Sequence, residues 1–304
     1  MTRKVFDGLN ITSYQHPFDQ KALASLNKMP GLPLLLKKVN EYGIDRLLRM
    51  QTIGCEFRVT PRNFPKLYDA FVETCQILDL SPQPELYLFR GHGCIESYAI
   101  GVEKPMIGVN LEAMEWYSHD ELLFAFGYEI ARIKGKYIVY QQMANVMPLI
   151  KNLISSTTLG FGGLAANGIE VALYNWIMMS RLTTDRAGLL ACQNIDVAIT
   201  SLMKLAGLPS DYLNADTIAD FQTQAREFSN INLDNLDQIT KIFSFMEYRF
   251  PWSVMRAAEL LKWVDSGEYE KLMQAENYSE PKDEPKDAVE NTEDSADWNF
   301  MSSW

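Results

Sequence analysis

The run Ser118-His-Asp-Glu-Leu-Leu-Phe-Ala-Phe-Gly-Tyr-Glu-Ile-Ala-Arg132 decides how the rest of this chain is read. Ser118 followed three residues later by Glu121 has the form of a capping box, in which each of the two side chains satisfies an orphan N–H at a helix start. Leu122, Phe126, Ile130 and Ile133 then recur at three- and four-residue intervals, the spacing of one helix face. The pattern predicts a long helix to roughly Met147, ended or kinked by Pro148. On that helix Tyr128 and Arg132 stand one turn apart on a shared face, with Glu129 beside them.

Before this helix the periodicity changes. Glu85-Leu-Tyr-Leu-Phe-Arg90, Ile95-Glu-Ser-Tyr-Ala-Ile100 and Pro105-Met-Ile-Gly-Val-Asn110 are short, apolar and separated by Gly or Pro, so they read as a small β-sheet. Residues 34–50 and 63–79 have helical spacing, while residues 1–30 are mixed, with His16-Pro17 expected to break any early helix. Helices are expected again at about 166–192, 194–206, 216–228, 234–246 and 252–274. The fold class is therefore α+β, mainly helical, with residues 1–274 as one domain. Residues 275–304 carry nine Asp/Glu and two Lys and have little to bury, so they read as a disordered acidic tail. Its aromatic end, Trp298 to Trp304, reads as a solvated terminus or as a short docking motif.

Composition narrows the function. The net charge is −11, of which the tail holds −7, leaving −4 for residues 1–274. No basic surplus exists to neutralise phosphates, which disfavours a nucleic-acid partner. Four cysteines without a C-x-x-C pair, and an N-terminus with no apolar stretch behind its basic residues, suggest reduced thiols in a cytoplasmic protein. Residues 152–180 hold Glu170 as their sole charge, but glycines and hydroxyl residues dilute their hydrophobicity; a buried helix is favoured over membrane contact. Of the three histidines, His16, His92 and His119, no two stand at helical i, i+4 spacing, and each reads as a surface or turn residue.

The frame Asp120-Glu121-Leu122, Gly127, Glu129 and Ile133 resembles the HtpX and CAAX prenyl endopeptidase family of zinc metallopeptidases, peptidase family M forty-eight. Two further segments match in order: Arg181-Leu-Thr-Thr-Asp185-Arg186-Ala187-Gly188, and more weakly Phe250-Pro251 with Arg256. The resemblance covers roughly residues 10–274 and implies a metallopeptidase-like (zincin, or gluzincin) helix pair beside a small sheet. It also implies that zinc would be held by two histidines one turn apart and a glutamate on a second helix. Here those ligand positions are Tyr128, Arg132 and Arg181, and the histidine that assists the transition state falls at Phe250. Of the working set, Glu129 at the general-base position and Asp185 at a supporting position survive.

A guanidinium has no free lone pair and stays protonated, so it cannot ligate zinc. Without zinc nothing lowers the pKa of a water from roughly 15.7 to about 7, and Glu129 has no activated nucleophile to serve. The first reading is a pseudopeptidase with no cofactor and with a peptide- or protein-binding or regulatory role toward an unknown partner. The alternative is an active hydrolase with a non-standard site around Glu129 and Asp185. Two arrangements of the altered site are open: Arg132 and Arg181 pair with Glu129 and Asp185, or the arginines point to solvent. In the family the strand before the active helix pairs with substrate; Glu96, Ser97 and Tyr98 occupy that place, as a peptide-binding strand or a plain edge.

Overall fold

The computed structural model describes residues 3–156, 163–230, 252–276 and 278. The expected helix at 234–246, the Phe250-Pro251 pair and nearly all of the acidic tail lie outside these residues. Among them, helices dominate: α1 (Pro17–Asn27), α2 (Leu32–Glu41), α3 (Ile44–Cys55), α4 (Pro65–Ile77), α5 (Leu111–Trp116), α6 (His119–Lys134), α7 (Ile138–Ser156), α8 (Gly163–Cys192), α9 (Ile195–Leu205), α10 (Ala215–Ser229), α11 (Ser253–Asp265) and α12 (Glu268–Gln274). The strands are β1 (Phe57–Arg58), β2 (Glu85–Phe89), β3 (Ser97–Ile100) and β4 (Met106–Asn110). They form one sheet in the order β1-β2-β4-β3, parallel between β2 and β4 and antiparallel elsewhere.

The capping box is present as the sequence predicts. Ser118 Oγ accepts from the Glu121 N–H at 3.3 Å, and Glu121 Oε2 accepts from the Ser118 N–H at 2.8 Å. Lys204 Nζ donates to the same carboxylate oxygen at 2.7 Å, tying α9 to this corner. Leu123, Phe126 and Ile130 of α6 are fully buried. Phe71 of α4 meets Phe126 edge-on with ring centroids 5.6 Å apart, a geometry worth about 0.5–1.5 kcal/mol beyond area burial.

Four sequence expectations are corrected. Pro17 does not break an early helix: it opens α1, where its missing N–H would have been an orphan in any case. His16 is consequently no surface histidine. It is buried as the cap of α1, its Nδ1 accepting from the Phe18 N–H at 3.1 Å and its Nε2 meeting Glu259 at 3.0 Å. The segment read as one helix over 34–50 is two, divided at Gly43 with φ +62°. The long helix does not run unbroken to Met147; it turns at Gly135–Tyr137, where Lys136 takes φ +56°, and Pro148 lies inside α7.

What fixes the architecture is the crossing of α6 and α8, both built without side-chain bulk at their closest point. A Cβ added to Gly127 would meet the Ala187 carbonyl oxygen at 2.8 Å and Gly188 Cα at 3.0 Å. One added to Gly188 would meet the Phe124 ring at 2.7 Å and the Phe124 carbonyl oxygen at 2.9 Å. Backbone atoms cannot yield as a flexible side chain can. Gly188→Ala should therefore lower stability by about 1–3 kcal/mol, measured by urea unfolding. Gly54→Ala, at an open position on helix α3, should be neutral or stabilising by up to about 1 kcal/mol.

Candidate functional site

The α6–α8 crossing places Tyr128, Glu129 and Arg132 of α6 against Arg181 and Asp185 of α8. Glu129 is fully buried. Its Oε2 accepts from Arg132 Nη1 at 3.0 Å, and its Oε1 accepts from Ser97 Oγ of β3 at 2.6 Å. Arg132 Nη2 donates to Tyr128 Oη at 3.1 Å, and the guanidinium carbon lies 4.6 Å from the Tyr128 ring centroid. One arginine therefore bonds both side chains of the preceding helical turn.

Asp185 is equally buried, but its partner is not Arg181. Arg256 of α11 grips it with two bonds, Nε to Oδ2 at 2.8 Å and Nη2 to Oδ1 at 2.6 Å. The fork of the guanidinium matches both carboxylate oxygens, which a group approaching across the helix interface can present and a neighbour one turn along the same helix cannot easily match. The expected pairing is thus half right: Arg132 holds Glu129, while Asp185 is held by a residue that the sequence placed only at the end of its weakest match. Arg181, half-buried one turn before Asp185, adds its charge to the same cluster. Phe250, aligned with the transition-state position, lies outside the described residues.

Arg256 also approaches the face of Tyr128, 5.1 Å from the ring centroid. Burial alone would raise the phenol's pKa, yet the positive charges of Arg132, Arg256 and Arg181 outweigh it and hold it below the ordinary tyrosine value. Burial lowers the pKa of Arg181, helped by the like charges of Arg256 and Arg132.

The strand residues Glu96, Ser97 and Tyr98 sit at the outer strand of the described sheet. The Glu96 N–H donates to Asn110 Oδ1 at 3.0 Å, which fixes the entry to β3. Tyr98 lies over Gly108 of β4, where a Cβ would overlap its ring. Its hydroxyl meets Thr52 of α3 at 3.1 Å and bonds Glu56. The structure thereby joins Ser97 to Glu129, a link absent from the sequence reading; its only signal was that the strand precedes the helix. Among the described residues no group of three or more His, Cys, Asp or Glu side chains is placed to hold a metal ion. No helix among them is long and apolar enough to cross a membrane.

Asp185→Asn should cost about 3–5 kcal/mol, because it takes away the carboxylate charge that receives both bonds of the buried Arg256 fork; Asp185→Leu combined with Arg256→Met should restore most of that loss. Both are read by denaturant unfolding. Tyr128 adds a pH signature. The folded chain favours its ionised form, so the stability this residue confers is complete above the unfolded value of about 10 and is lost as pH falls through the lower folded value. The stability of the wild type minus that of Tyr128→Phe should therefore increase as pH rises toward the unfolded value, measured by urea unfolding across a pH series.

The chain is 29% identical over 278 residues to plastoglobule-localized metallopeptidase 48, chloroplastic, of Arabidopsis thaliana, a match spanning 90% of this chain and 78% of that protein. No protein-family model matches the chain. No solved structure matches it either. Along nine-tenths of its length, then, the chain is similar to a metallopeptidase.

Proposed function

We propose that this chain is a pseudopeptidase: a zinc-metallopeptidase-like scaffold whose metal site has been replaced by an arginine–tyrosine–carboxylate cluster and whose role is to bind a peptide or protein partner. The observation that carries this reading is the position of Arg132, bonded to Glu129 on one side and Tyr128 on the other. Zinc does not fit that donor set. Two of the three positions aligned with ligands are guanidinium groups, which offer no lone pair, and a dication would stand among three positive charges. Glu129 could not serve as an unencumbered base either, since Arg132 bonds both of its oxygens and the Ser97 hydroxyl bonds one of them.

Peptide binding is supported by β3, which is paired on the β4 side and is the outer strand among those described. An extended peptide adding to the side that no described strand pairs would draw on main-chain hydrogen bonds, which need neither metal nor general base. The proposal includes no nucleic-acid partner, and places the chain in the cytoplasm on the strength of its four free cysteines. The competing reading, a hydrolase built around Glu129 and Asp185, has each carboxylate already engaged by an arginine.

The triple variant Tyr128→His, Arg132→His, Arg181→Glu should gain zinc binding in equilibrium dialysis, because it restores the ligand types on the same helix pair. The wild type should leave an unstructured peptide substrate intact with zinc added. Zinc-dependent cleavage by the wild type that Glu129→Gln abolishes would overturn the proposal in favour of a working peptidase.

A further inference from the structure

Helix α3 turns its apolar side outward. Leu47 is 58% exposed, Met50 60% and Ile53 50%, and Phe57 immediately after the helix is 71% exposed. Leu47, Met50 and Ile53 recur every three residues, so they form one stripe along a helix whose sole buried residue is Thr52. The adjoining Leu34 of α2 and Tyr42 are exposed as well. A soluble surface seldom gathers this many large apolar side chains without a partner.

The exposure is built in, since the helix is fastened from behind. Asp45 accepts from the Val102 N–H at 2.9 Å and from Gln142 Nε2 at 2.8 Å. Arg49 donates to the Lys104 carbonyl, and Thr52 meets Tyr98 of β3 at 3.1 Å. These bonds set the polar side of α3 against the body of the protein and leave the stripe facing away.

Charge selects the occupant. Helices α2 and α3 carry Lys37, Lys38, Arg46 and Arg49 against Glu41 and Asp45, a local balance of +2 in a chain of net −11. A second copy would set +2 against +2 around the apolar stripe. An anionic lipid surface meets both features at once: apolar side chains enter the acyl boundary while the basic residues lie among acidic headgroups. We propose that α3, with Phe57 and the basic residues of α2, docks this protein on anionic lipid surfaces without crossing them. The contact through Tyr98 would then hold β3, and the cluster behind it, close to that surface.

The test is co-sedimentation of the full chain with vesicles of phosphatidylcholine, alone or mixed with phosphatidylglycerol. The wild type should partition to the mixed vesicles, less so as salt is raised. Leu47→Glu and Met50→Glu should each reduce partitioning roughly tenfold or more, the loss expected when a buried apolar side chain becomes a charge. Tyr212→Glu, the same charge placed at another exposed aromatic side chain outside α3, should bind as the wild type does. All the altered positions are exposed, and unchanged thermal unfolding would show that the variants fold. The proposal fails if the wild type ignores both vesicles, if it binds neutral vesicles equally well, or if the α3 variants bind unchanged. It fails too if the wild type is a dimer that Leu47→Glu converts to a monomer while neither binds vesicles, which would assign the stripe to a second copy.

Discussion

The close crossing of α6 and α8 at Gly127 and Gly188 is the constraint on which the rest of the structure depends. Two helices that meet with almost no side chain between them bring the next residues along, Tyr128, Glu129 and Arg132 on one and Arg181 and Asp185 on the other, into one buried cluster. Helix α11 then supplies Arg256 to close it. Ser97 closes it from the sheet. Residues from four elements thus share one polar centre.

Such a centre is expensive to build and more expensive to break. Each charge removed from water loses its hydration, and Coulomb attraction in the interior offsets this only when hydrogen-bond geometry is good. The geometry here meets that condition at both carboxylates: Asp185 receives a two-bond fork, and Glu129 receives a guanidinium and a hydroxyl. Tyr128 lies against Arg132 and Arg256, and the charges around it favour its ionised form relative to an ordinary tyrosine. On the proposed reading this network does by hydrogen bonds and charge what a bound dication does in a metallopeptidase, holding two helices and a strand in register, while leaving no electrophile for chemistry.

Much of this was legible in the sequence because it is encoded locally. The capping box at Ser118 and Glu121, the strands near 85–110 and most helices follow from short-range spacing and turn chemistry. The losses follow from context. Pro17 reads as a breaker until His16 is seen to cap the helix it opens, and Lys136 gives no hint of the positive φ that divides α6 from α7. At the site, the helix spacing located Tyr128, Glu129 and Arg132 together, since they are neighbours in the chain. The partner of Asp185 is seventy-one residues away, and nothing local distinguishes Arg256 from the nearer Arg181. Tertiary approach, not residue type, decided which arginine could present both nitrogens to one carboxylate.

The most direct measurement is the zinc content of the purified full-length protein, by elemental analysis against protein concentration. The arginine-filled site predicts a zinc-to-protein ratio near zero even after incubation with the metal and removal of excess. A ratio near one that survives this treatment would contradict the account, because it would require three ligands that Tyr128, Arg132 and Arg181 cannot supply.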